Sequence, residues 1–277
     1  MTTTASRPES ATTVPMTGAR VTQLRVLASE WVKFRSLRSS YAALGTTVLV
    51  MIGFGILICA VVVSRWTRMA PGERANFDPT VTSLRGLFLA QLIIGVLGVL
   101  VVSGEYSTGM IRASLTAAPR RLPVLWAKLA VFAVVSFVVS AIGSFAAFLV
   151  GQAVLSSQHI QTTLGAPGVL RAVLGTALYL TVVGMIGMAL AWIIRHTAGA
   201  IATLFGVLLI LPALVSALPE SWSSHIDPYL PSTAGQGLTR VRVEPGYLAP
   251  WTGFAVFCAY LVAAVIVAAV LLRRRDA

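Results

Sequence analysis

Glu105 and Tyr106 stand side by side where a long apolar run ends, and Gly109, Ile111 and Arg112 follow within two helical turns. An acid at such a boundary, with a base two turns on, reads as an ion-paired anchor. Pro119 stops the helical stretch that begins there, Arg120 and Arg121 follow, and Pro123 fits the first turn of the next helix. The result is a short, partly apolar helix between two rigid elements, suited to docking in a cleft of a partner. Arg120, Arg121 and Lys128 read equally well as such a contact or as simple orientation signals.

Other chemistry is missing from the sequence. There is no GxxxxGK[ST] phosphate loop, no HExxH, no GxSxG and no clustered Cys/His metal spacing. His159, His196 and His225 fall in three separate segments, and Cys59 and Cys258 sit inside apolar runs as small hydrophobes. No catalytic residue, metal site or cofactor site is expected in this chain, and it is not expected to be an enzyme.

The elements that must position Glu105 are set by composition. Of 277 residues, 57% are hydrophobic and 11% charged, and the mean hydropathy is +0.85. A soluble domain carries about a quarter of its residues as charged types, so lipid is the main solvent here. The net charge of +12 does not point to nucleic acid, because the basic residues cluster beside apolar runs.

Six runs are long enough to span a bilayer: about 41–64, 83–103, 128–152, 170–194, 198–217 and 251–272. The expected fold is an all-α integral membrane protein. Residues 1–19 are expected to form a disordered cytoplasmic tail, and 20–277 a single transmembrane domain with an N-terminal amphipathic helix over 20–38. In that helix Leu24, Leu27, Trp31 and Phe34 recur at spacings of three and four, while Arg25, Glu30, Lys33 and Arg35 take the other face. It is expected to lie in the membrane interface.

Lys and Arg concentrate before the first run, after the second, at Arg195 and at Arg273 to Arg275, which places both termini in the cytoplasm. The outer loop 218–250 is rich in Pro and Gly. Trp222, Ile226, Tyr229 and Leu230 could dip back into the outer leaflet there, or the loop could be an ordinary extracellular one.

No ionisable residue is expected deep in any span, which argues against a proton- or sodium-driven carrier. Ser136, Ser140 and Ser144, with Gly143, Ala147 and Gly151, form a small-residue face on the third span. Tyr179, Thr181, Gly184 and Gly187 form another on the fourth; both read as packing surfaces.

Three stretches together resemble the bacterial type-2 ABC exporter permeases: SEWVKFRSLRSSY before the first span, GEYSTGMIRASLTAAPRR after the second, and DPYLPSTAG before the last. The middle one, with its acid–aromatic pair and Gly-X-Ile-Arg before Pro-Arg-Arg, is the most specific. The resemblance implies a six-helix permease in the bacterial plasma membrane with a cytoplasmic coupling helix between spans 2 and 3. It implies two kinds of partner: a separate ABC-type ATPase, which binds the ATP and magnesium, and a second permease chain, identical or related.

Glu105, Tyr106, Gly109, Ile111 and Arg112 would then lie at the ATPase contact, and the Arg195–His196 turn would be a second, smaller one. Export of an amphipathic or hydrophobic compound by alternating access follows from the resemblance; the substrate-binding residues do not. The rival readings are a membrane anchor or sensor for a resistance ATPase, and a stand-alone channel or carrier.

Overall fold

A computed structural model describes residues 23–36, 38–107, 122–243 and 246–274. The expected tail 1–19 and the centre of the segment after the second span, with Gly109, Ile111 and Arg112, lie outside the described residues. All regular structure among the described residues is helical.

Six helices are long and apolar enough to cross a membrane: Ser39–Arg68, Leu87–Tyr106, Leu122–Gln158, Val169–Ile194, Thr197–Ser216 and Pro250–Arg274. Helix α1 (Gln23–Ser36) precedes the first, α2 (Arg38–Arg65). Short helices α3 (Pro71–Ala75) and α4 (Pro79–Ser83) lead into the second span, α5 (Leu87–Ser107). Then come α6 (Leu122–Leu155) and α7 (Val169–Ile194). The fifth span joins α8 (Thr197–Phe205) to α9 (Leu211–Ser216) through a π-helical stretch, Gly206–Ile210. Helices α10 (Glu220–Ile226) and α11 (Pro231–Gln236) precede the last span, α12 (Pro250–Arg274).

Every expected run corresponds to a span, and two of the differences in boundary bear on the site. The second starts at Leu87 rather than residue 83, because Asp78 accepts hydrogen bonds from the amides of Thr80 and Val81 and starts a separate helix. The third starts at Leu122, with Pro123 in its first turn. Lys128 therefore lies inside the span, nearly two turns from its start, rather than at its edge.

Helix α7 is the hub: 72% of its most apolar window is buried inside the protein, against 22% for the first, fifth and sixth spans. Apolar burial cannot drive helices together in lipid, so close approach must. Gly95 and Gly98 of α5 face Gly184 and Gly187 of α7, so that a Cβ at Gly98 would collide with the Gly184 carbonyl and one at Gly187 with that of Gly95. The serine face of α6 packs as expected: Ser136, Ser140 and Ser144 are buried, Gly143 lies on Val48 and Met51, and Gly151 on Cys59 and Ser83.

At the far end of the bundle from α1, the segment before the last span inserts between α7 and α12. Gly235 is held between the rings of Tyr179 and Phe257, Gly253 backs on the Ala234 carbonyl, and Leu238 lies on Gly175. Gly175 is six residues into α7, about 9 Å along its axis. The inserted part is Leu230 to Thr239. Trp222, Ile226 and Tyr229, by contrast, are not covered by the protein.

Candidate functional site

Helix α1 lies along the first turns of α6 in matched register. Val26, Glu30 and Phe34, spaced by four, are its buried face. Opposite them stand Val124, Lys128 and Phe132, also spaced by four. Val26 packs on Val124 and Ala127, Phe34 meets Phe132 edge-on at 6.5 Å, and Gln23 donates to the Pro123 carbonyl at 3.2 Å. This corrects the expected polar face: Glu30 points into the protein. Of the expected apolar row, Phe34 is buried and Leu27 half-buried, while Leu24 and Trp31 are exposed.

Between the two aromatic and aliphatic layers sits an ion junction. Lys128 Nζ lies 2.7 Å from Glu30 Oε2 and 2.7 Å from Glu105 Oε1. Lys33 Nζ lies 2.6 Å from Glu30 Oε1 and 3.8 Å from Glu105. The Glu30 and Lys128 side chains are each 4% exposed and that of Glu105 10%, whereas Lys33 is 31% exposed. Burial pushes the Glu30 carboxyl up, but Lys128 and then Lys33 outweigh it and hold the pKa below the usual 4.5. A buried charge survives only when paired and hydrogen-bonded, and here one ammonium serves three helices: α1, α5 and α6.

The next residue of α5 extends the cluster. The Tyr106 ring meets Trp192 edge-on at 5.8 Å and carries the Arg195 guanidinium over its face at 5.4 Å. Arg195 closes α7 in the left-handed conformation, φ 58°. His196 then caps α8, its Nδ1 accepting from the Gly199 amide at 3.2 Å. The turn expected as a second partner contact is thus packed against the first.

A chamber of about 700 Å³ opens beside the junction. Glu30, Lys33, Glu105 and Lys128 line one end, and Leu92, Val96, Leu97, Val101 and Phe205 line the walls.

Of the expected site residues, Glu105, Tyr106, Arg195 and His196 come together at one end of the bundle, and α1 joins them. Glu30, Lys33 and Lys128 are the members that sequence reasoning assigned elsewhere. A signal was available: they include both lysines of the chain, every other basic residue apart from the histidines being arginine.

These features define a polytopic all-α membrane protein with a charged, multi-helix junction at one end of its bundle. Residues 26–215 match the family described as ABC-2 family transporter protein. The match spans more than half of the 277 residues, and the chain belongs to that family of type-2 ABC permeases. Membership places it in an ABC transporter system with an ATPase partner. A comparison with curated proteins finds no match.

Proposed function

We propose that this chain is the membrane-spanning subunit of an ATP-driven exporter in a bacterial plasma membrane, with both termini cytoplasmic. It carries no ATP site of its own; ATP and magnesium are bound by a separate ATPase, and a second permease chain, identical or related, completes the path. The cargo class is an amphipathic or hydrophobic compound. Helix α1 lies in the membrane interface with Leu24 and Trp31 toward lipid.

The observation that carries this reading is the Glu30–Lys128–Glu105 junction. Glu105 and Lys128 bracket the segment 106–127, so a 2.7 Å ion pair closes the base of that segment. The same ammonium ties it to α1. A push on the segment by an ATPase would therefore move α1, α5 and α6 together. In this reading Gly109, Ile111 and Arg112 touch the ATPase, Arg195 and His196 form the smaller contact, and Glu105 and Tyr106 anchor the first contact to the bundle.

The test is Arg112→Glu in the full chain. Reversing one charge at a protein contact costs a few kcal/mol, so ATPase co-purification should fall by about tenfold or more. Stimulated hydrolysis, normalised to inserted permease, should fall with it. Wild-type values for both would show that this segment is no ATPase contact.

A further inference from the structure

A second recess, separate from the chamber beside the junction, is a groove of about 380 Å³ between α2 and α6. Leu44 and Val48 of α2 and Val135 and Val139 of α6 form its apolar walls. From Tyr41 to Val48 the lining follows α2 for about 10 Å. A Cβ added at Gly45 would meet no atom within 4 Å, so the groove there is open space and not packed core. Trp31, Arg35 and Tyr41 stand at the end next to α1.

Trp31 and Arg35, spaced by four, share a side of α1. Both are exposed, and Arg35 forms no ion pair or hydrogen bond with any described residue. Glu30 and Glu105 are engaged by Lys128 in the junction, and among the described residues no carboxylate lines the groove. Ser39 opens the first span, so Arg35 stands about one turn short of it. That is the level of lipid headgroups, where the exposed rings of Trp31 and Tyr41 also belong.

An apolar recess along two spans accepts any acyl chain, so selection falls to the head. A guanidinium offers donors in a fork that matches a phosphate. With no carboxylate beside it, nothing answers the ammonium of a zwitterionic head. From this we infer that the groove binds one molecule of an anionic glycerophospholipid of the phosphatidylglycerol type. One acyl chain lies between α2 and α6, over Gly45, and the second stays in the bilayer. The phosphate accepts hydrogen bonds from Arg35. The inference concerns lipid binding and is independent of the transport reading.

The full chain would be reconstituted into vesicles of equal parts phosphatidylglycerol, phosphatidylethanolamine and phosphatidylcholine. It would then be re-extracted in mild detergent and weighed by native mass spectrometry. The expected result is one phosphatidylglycerol retained per chain, ahead of the other two lipids. Arg35→Gln should lower retention roughly tenfold, the loss of one charge-assisted contact. Arg25→Gln, at an exposed position of the same helix outside the groove, should leave retention unchanged.

Gly45→Phe should abolish retention by filling the groove. Ile142→Trp, at an exposed lining position, serves the same end if the first blocker fails to insert, and far-ultraviolet circular dichroism checks that each variant is folded. Retention of phosphatidylethanolamine or phosphatidylcholine at the same level would overturn the inference. An equal fall in Arg25→Gln would also overturn it, because the attraction would then belong to the helix surface at large. So would wild-type retention in a folded, blocked variant. Loss of a dimer of the chain in that variant, with no lipid retained by the wild type, would assign the groove to a second copy instead.

Discussion

Lys128 is 4% exposed and bonds two carboxylates, so removing it strands two buried negative charges. Breaking one partner out of a buried ion pair costs about 3–5 kcal/mol, whereas replacing the whole set with neutral groups is often close to harmless. Lys128→Met should therefore lower the melting temperature in detergent markedly, and Glu30→Gln with Glu105→Gln in the same chain should restore most of it. A triple variant no better than Lys128→Met would mean that the charges are not what holds these helices. The junction also has a pH signature. Because the Glu30 carboxyl is held below its usual 4.5, its contribution is complete above that value and is lost as pH falls through the lower folded value. Melting curves should show that loss on the acid side, reduced in Glu30→Gln.

At the scale of elements, the α5–α7 contact rests on reciprocal glycines. Gly95 and Gly98 back onto Gly184 and Gly187, and an added methyl at Gly98 would meet the Gly184 carbonyl, which cannot move without its helix. Overpacking of this kind costs about 1–3 kcal/mol. Gly98→Ala should lower the melting temperature accordingly. Gly104→Ala, on the same helix with open space at its Cβ, should not. Equal effects in the two variants would show that helix propensity, not packing, governs the response. The fourth-span glycines were visible in sequence as a small-residue face, whereas their partners on α5 were hidden in an otherwise aliphatic run. Spacing reveals that a helix has a flat side, but not which helix will use it.

For the whole molecule, six spans require that the ends of the chain lie on one side. Arginines at the opposite end are engaged locally. Arg74 stacks on Trp66 at 5.7 Å and donates to the Thr67 carbonyl, and Arg171 donates to the carbonyls of Arg240 and Val241. In the orientation proposed above these arginines lie on the outer side, and each carries a structural duty where it stands. Cysteines placed at Ser157 and Ser224 should accept an impermeant thiol reagent in intact cells, and one at Ser114 should not. The opposite pattern would invert the orientation.

Sequence alone determined the number of spans, because about 20 apolar residues and their charged borders are a property of each segment in lipid and need no partner. It also marked Glu105, Tyr106 and Arg195, since a charge or an aromatic ring at a membrane boundary stands out against aliphatic neighbours. Tertiary structure decided what those residues meet. Glu30 looked like part of a solvated face, and Lys128 like the edge of a span. Each is buried because α1 lies on α6 in the register that sets Val26, Glu30 and Phe34 against Val124, Lys128 and Phe132. The insertion of Leu230 to Thr239 was likewise decided by the space that Gly175, Gly235 and Gly253 leave between α7 and α12. A charge buried in a membrane protein needs a partner, and for Lys128 both partners come from other helices, a meeting that no single segment contains.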